Sequence, residues 1–136
     1  MSSSSYGDNV DYGSQEFEVQ VQEQDTRATV VRVRGDIGIH SCRQLGEVLN
    51  GLLARDPARI IVLAMAEVPH LGAQGYALLR DVTRRARDAG SALYLAGLSR
   101  SVYQSLNITR LIKEFTVFAS VEQALEAAGS ESAPPA

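Results

Sequence analysis

Apolar and polar residues alternate at the start of the folded part of the chain. Phe17, Val19 and Val21 are interleaved with Glu18, Gln20 and Gln22. A period of two predicts a strand with one wet face. Gln24-Asp25-Thr26 reads as a turn, and Ala28 to Arg34 as a second strand ended by Gly35. So short a link makes the two strands an antiparallel hairpin. The period then changes. Leu45, Val48, Leu49, Leu52 and Leu53 recur at helical spacing and form one apolar stripe. Ser41 and Gln44 have capping-box spacing at its start, and Asp56-Pro57 stops it. Ile60 to Met65 is an unbroken apolar run of strand length, as in a parallel strand covered on both faces.

The same alternation of elements continues to the end. Gly72 to Gly75 opens a helix with Leu79, Val82 and Ala86 inward and Arg80, Arg84, Arg87 and Asp88 outward, and Gly90 stops it. Ala92 to Ala96 is a buried strand. Ser99 caps a short helix carrying Val102, Tyr103 and Leu106. Phe115 to Phe118 is the last strand, and Ser120 and Gln123 cap a final helix with Val121, Ala124, Leu125 and Ala128. The predicted order is β-β-α-β-α-β-α-β-α. Strands separated by helices imply right-handed crossovers and an α/β fold with a mixed, mostly parallel sheet, an N-terminal antiparallel hairpin and about four helices.

The two ends read differently from the middle. Residues 1–15 are mostly Ser, Gly, Asp and Asn, with only Val10 and two tyrosines able to pack. Such a segment cannot offset its ordering entropy and is expected to be a disordered tail. Residues 129–136, which hold two prolines, are expected to be a second tail. Residues 16–128 are long enough for a single core.

Composition removes several classes of function. With 13 basic and 16 acidic side chains the net charge is −3, so no basic excess is available to neutralise the phosphates of nucleic acid. No apolar run reaches the roughly 20 residues that span a bilayer. Residues 1–15 hold no basic side chain and no apolar core, unlike a signal peptide. Cys42 is the single cysteine, which excludes an internal disulfide or a cysteine-based zinc site. A reducing cytoplasm is the simplest compartment.

Three features could carry chemistry. Gly35-Asp36-Ile37-Gly38 and Gly72-Ala73-Gln74-Gly75 each follow a strand and precede a helix, where anions and ligands can bind. Neither has dinucleotide or P-loop spacing, and no Lys stands nearby. Turn glycines, a phosphate site and a protein-binding surface all remain open. His40 and His70 stand before one helix each, beside Ser41 and Cys42. They are either unrelated loop histidines or parts of a metal pair, completed by Asp36 and Glu67, or of a Ser41–His70 relay; no G-x-S-x-G elbow exists. Cys42 is buried filler or a thiol whose pKa the helix dipole lowers. Arg80, Arg84, Arg85 and Arg87, interrupted by Asp81 and Asp88, form a solvated face or a patch for an acidic partner. Tyr76 is a core lid or an exposed anchor.

The ordered set of local strings resembles the STAS domain of bacterial anti-sigma-factor antagonists over nearly all of Phe17 to Ala128. The strings are Val31-Arg32-Val33-Arg34-Gly35-Asp36-Ile37; Ile60 to Leu63 with Val68, Leu71 and Gly75; Ala89 to Leu95; Ser99 to Val102; Leu106 to Ile112; and Val117-Phe118 before Val121 to Leu125. The resemblance implies a single STAS-like domain that binds a kinase-like anti-sigma factor and so releases sigma. In the family the kinase phosphorylates a Ser in an Asp-Ser-x-Gly loop, which ends binding. Here Gly72 stands at the Asp, Ala73 at the phosphoacceptor Ser, Gln74 at the variable position and Gly75 at the Gly. Gly38 and Ala64 replace two further acidic positions of the family, one in the turn after the second strand and one at the end of the central strand. The fold pattern is kept, and the phosphorylation chemistry at position 73 is not.

The resemblance therefore implies a non-catalytic binding module acting in regulation of transcription or a stress response, with no cofactor, as a monomer or weak dimer. Its partner is an anti-sigma factor of the kinase-like ATPase type or another STAS or regulatory protein. The expected interface is Gly38, Ile39, His40, Ser41, Ala73, Gln74, Gly75, Tyr76 and Arg80. The competing reading is a STAS-type scaffold, or a small-ligand or nucleotide sensor that uses the helix N-termini.

Overall fold

The computed structural model describes residues 17–23, 28–56 and 59–131. The tail expected at residues 1–15, the turn at Gln24 to Thr26 and the stop at Pro57 lie outside the described residues. Five strands form one sheet: β1 (Glu18–Glu23), β2 (Ala28–Arg34), β3 (Ile60–Glu67), β4 (Leu93–Ala96) and β5 (Thr116–Phe118). The helices are α1 (Ile39–Arg55), α2 (Ala73–Asp88), α3 (Arg100–Ile108) and α4 (Val121–Glu131), with a 3-10 turn at Leu111–Glu114. The α/β class, the hairpin and the four helices agree with the sequence pattern.

The strands lie side by side in chain order, β1-β2-β3-β4-β5. β1 is antiparallel to β2, and every later pair is parallel. Because the order never reverses, right-handed crossovers carry α1, α2 and α3 to the same face of the sheet. The apolar residues divide accordingly. Val19, Val31, Ile61, Leu63, Met65 and Leu95 face Leu45, Leu49, Leu79, Val82, Val102 and Leu106 of those helices. Val30, Val62, Tyr94 and Ala96 face the other way, against Ala124 and Ala128 of α4. β3 is therefore buried on both faces, as its unbroken apolar run requires. Among the described strands the order never reverses, so they form no switch-point crevice of the kind in which doubly wound folds hold nucleotides.

Three boundaries differ from the sequence expectation by two residues or more. β3 runs on to Glu67, because a bulge lets three steps of β3 oppose two of β2: Arg32 pairs with Ala64, and Arg34 with Glu67. α1 begins at Ile39, with Gly38 as its N-cap, two residues before Ser41. α4 continues through Gly129 to Glu131, three residues into the expected C-terminal tail. Of the three residues expected on α3, Val102 and Leu106 are buried and Tyr103 is 46% exposed.

Candidate functional site

The loops after β2 and β3 meet at one end of the sheet. The Ile37 N–H donates to the His70 carbonyl at 3.1 Å, and the Gly72 N–H donates to the Ile37 carbonyl at 3.0 Å. These bonds form an isolated parallel bridge between Ile37 and Leu71 beyond the strands proper. The bridge fixes where α1 and α2 begin. Both helices thus start side by side at this face, with Gly38 and Gly72 as their N-caps. Neither has an acidic residue in its first turn, so the positive end of each dipole is uncompensated by its own helix.

Gly75 permits this closeness. A Cβ there would lie 2.3 Å from Leu71 Cδ1 and 3.0 Å from Ile37 Cγ2. A second link joins the two helices: the Cys42 thiol donates to the Gln74 carbonyl at 3.3 Å. Burial pushes the Cys42 thiol pKa up, the direction of packing filler and opposite to that of a dipole-activated nucleophile. Ser41 is not an N-cap but the third residue of α1. Its Oγ accepts from the Gly38 N–H and donates to the Asp36 carbonyl, both at 2.8 Å. The hydroxyl thus satisfies one orphan donor of the helix from inside it. Both its partners are backbone groups, so the geometry does not form the Ser41–His70 relay.

The expected interface residues fall into two groups. Gly38, Ile39, His40 and Ser41 border one open groove together with Phe17, Gly35, Asp36, Gln44 and Pro69. Ile39 is 67% exposed, an apolar side chain standing in solvent beside that groove. Ala73 and Gln74 are exposed at the start of α2, Gly75 is buried beneath them, and Tyr76 is half-buried against the core. Tyr76 is thus partly lid and partly surface. Arg80 does not join them. It lies about 10 Å further along α2, at 1.5 Å per residue, and pairs with Glu114 of the 3-10 turn at 3.6 Å. Ala64 is likewise away from the loops: it sits three residues before the end of β3, on the sheet face that carries α4. Phe17 and Pro69 border the groove but carry no polar chemistry, and the sequence marked neither. Among the described residues no group of three or more His, Cys, Asp or Glu could hold a metal ion. No helix among them is long and apolar enough to cross a membrane.

With this geometry in hand, comparison with known proteins gives a definite family. The STAS domain model matches residues 17–124. The chain belongs to the STAS domain family. Its fold is also that of solved structures with low identity. An anti-sigma factor antagonist from Mycobacterium paratuberculosis superposes with a TM-score of 0.72 at 19% identity, covering 86% of this chain and 98% of the other. A sulfate transporter family protein from Wolinella succinogenes gives 0.69 at 21% identity, covering 83% and 93%. The Bacillus cell fate determinant SpoIIAA in its phosphorylated form gives 0.63 at 15%, covering 80% and 97%. In this STAS domain the N-terminus of α2 presents Gly72-Ala73-Gln74-Gly75, which contains no hydroxyl.

Proposed function

We propose that this STAS domain is a non-catalytic anti-sigma-factor antagonist that binds a kinase-like anti-sigma factor through the face where α1 and α2 begin. The partner contacts Gly38, Ile39, His40 and Ser41 on one side and Ala73, Gln74 and Tyr76 on the other. Gly75 holds the two sides together. One observation carries the reading: an apolar side chain, Ile39, is 67% exposed in the first turn of α1, two residues after Ile37, which bonds Gly72 at the start of α2. Aromatic side chains are enriched at interface centres, and Tyr76 stands half-buried in the first turn of the other helix. Phosphorylation cannot release this partner at position 73, because Ala73 has no acceptor oxygen. The protein works in the cytoplasm as a monomer or weak dimer.

Calorimetric titration with the host's kinase-like anti-sigma factors tests this. Ala73→Glu places a carboxylate at the first position of α2, where the dipole favours it by about 0.3–1 kcal/mol. The melting temperature therefore holds or rises. The same charge desolvated in an interface costs about 1–3 kcal/mol, so affinity falls about tenfold or more. Ala73→Ser changes neither quantity. Undiminished affinity of the Glu variant moves the interface off this face. A thermal-shift series with nucleotides tests the sensor reading in parallel: stabilisation by a nucleotide, with no anti-sigma binding, replaces the proposal.

A further inference from the structure

The groove beside Ile39 adjoins the point where the chain outside the described residues joins the domain. β1 is antiparallel to the other four strands, and Glu18 lies opposite Arg34. β1 therefore starts at the end of the sheet where β2, β3, β4 and β5 finish. Phe17, the first described residue, is only 4% exposed and borders the groove with Gly38, Ile39, His40 and Pro69. Residues 1–16 precede Phe17 in the chain. Residues 132–136 follow α4, which runs back from that end along the opposite face of the sheet.

We infer that residues 1–16 act as a tethered cover for this groove, competing with the partner proposed above for the Ile39 surface. The inference rests on that reading only in naming what is displaced. Sixteen residues of this Ser- and Gly-rich composition span about 20–24 Å as a coil, ample for a groove that starts at Phe17. The segment carries Tyr6, Val10 and Tyr12, which match an exposed isoleucine. Its charged side chains are Asp8, Asp11 and Glu16, with no Lys or Arg. That sign suits a face holding two helix N-termini without acidic first-turn residues. Asp36 on the groove wall opposes it only locally. A short tether gives an effective concentration in the millimolar range, so an intrinsic affinity of that order half-fills the groove. So weak a contact agrees with a segment too polar to form a core of its own.

The test uses the full chain and needs no partner. A nitroxide label goes on Ser4→Cys in a Cys42→Ser background, and amide signal loss is mapped by NMR. With the groove about half filled, signals of Gly38 to Ser41 lose about twofold or more in intensity, well beyond the rest of the surface. Ile39→Ser in the same background removes that contrast. A second measurement is independent of the cysteine change: Tyr6, Val10 and Tyr12 are replaced together by Ala, and the amide shifts of Gly38 to Ser41 must move. Unmoved shifts, an even signal loss, or loss centred instead on the surface around Tyr103, Ile112 and Phe118 each overturn the inference. Failure here leaves partner binding untouched, and failure to bind an anti-sigma factor leaves these spectra unchanged. If both hold, the Tyr6/Val10/Tyr12 variant binds the partner about twofold more tightly or better.

Discussion

Gly38 and Gly75 serve the same face of the molecule under opposite constraints. A Cβ on Gly38 would meet nothing within 4 Å, whereas one on Gly75 would collide with Leu71 and crowd Ile37. Both of these neighbours are buried, so they cannot simply swing away. Gly75→Ala should gain up to about 1 kcal/mol of helix propensity and lose about 1–3 kcal/mol to overpacking. The expected net is a modest destabilisation, seen as a melting temperature several degrees lower, with the signals of Ile37 and Leu71 shifted. Gly38→Asp should do the reverse. The N-cap of α1 has no side-chain acceptor, and its backbone is extended. An Asp there can accept from the next amides and complement the dipole, raising stability by about 0.5–1 kcal/mol in a denaturant titration. The sequence left both glycines as loop residues and could not separate them, because the distinction lies in the neighbours of Gly75: Leu71, and Ile37, which is far from it in the chain and is brought against it only by the fold.

At the scale of elements, periodicity located every helix and strand, since each buries one stripe or one alternating face. What it missed has local physical causes. The extension of β3 to Glu67 comes from a bulge, which breaks the period-two rule at that point. The 3-10 turn at Leu111–Glu114 is entered through Arg110 at a φ of 64°, without a glycine to announce the left-handed residue. The start of α1 moved because a serine can satisfy an N-terminal amide from the third position as well as from the cap. The far end of the sheet depends on a residue the pattern left silent. Arg59 Nε donates to Thr29 Oγ1 at 2.7 Å and its Nη2 to the Ala28 carbonyl at 3.1 Å, while Ser91 Oγ donates to the Arg59 carbonyl. Arg59 thereby ties the starts of β2, β3 and β4, and the Thr29 side chain that it holds is buried. Arg59→Met should leave that hydroxyl poorly satisfied and cost about 1–3 kcal/mol. A midpoint shift in urea without a change in slope would confirm lost stability in an unaltered fold. An unchanged midpoint would mean that water replaces the guanidinium.

Among the described residues two large aliphatic side chains are exposed, and they separate interface from mere surface. Ile39 is 67% exposed at the start of α1, and Ile108 is 81% exposed at the end of α3. α3 leaves the loop face through Ser99, whose Oγ donates to the Val68 carbonyl and accepts from the Val102 N–H. Its nine residues then carry Ile108 roughly 13 Å away along the helix axis. The sequence drew Ile39 into the candidate site through its neighbours Gly38 and His40, and it gave Ile108 no role. Exposure alone does not decide between them, since single exposed apolar residues are ordinary. Position does, because Ile39 opens α1 two residues after Ile37, whose backbone bonds Gly72 at the start of α2, whereas Ile108 ends α3. Ile39→Ser and Ile108→Ser should each leave stability within about 0.5 kcal/mol, both being surface changes. Their effects on anti-sigma binding should diverge. Full burial of an isoleucine contributes about 1.5–3 kcal/mol, so loss of Ile39 from an interface lowers affinity by about tenfold or more. Ile108→Ser should bind as the parent does. Calorimetry on the two variants side by side decides the matter: weaker binding by the Ile108 variant alone would place the partner on α3 and the neighbouring β5 edge, and the loop face would then be the domain's support rather than its working surface.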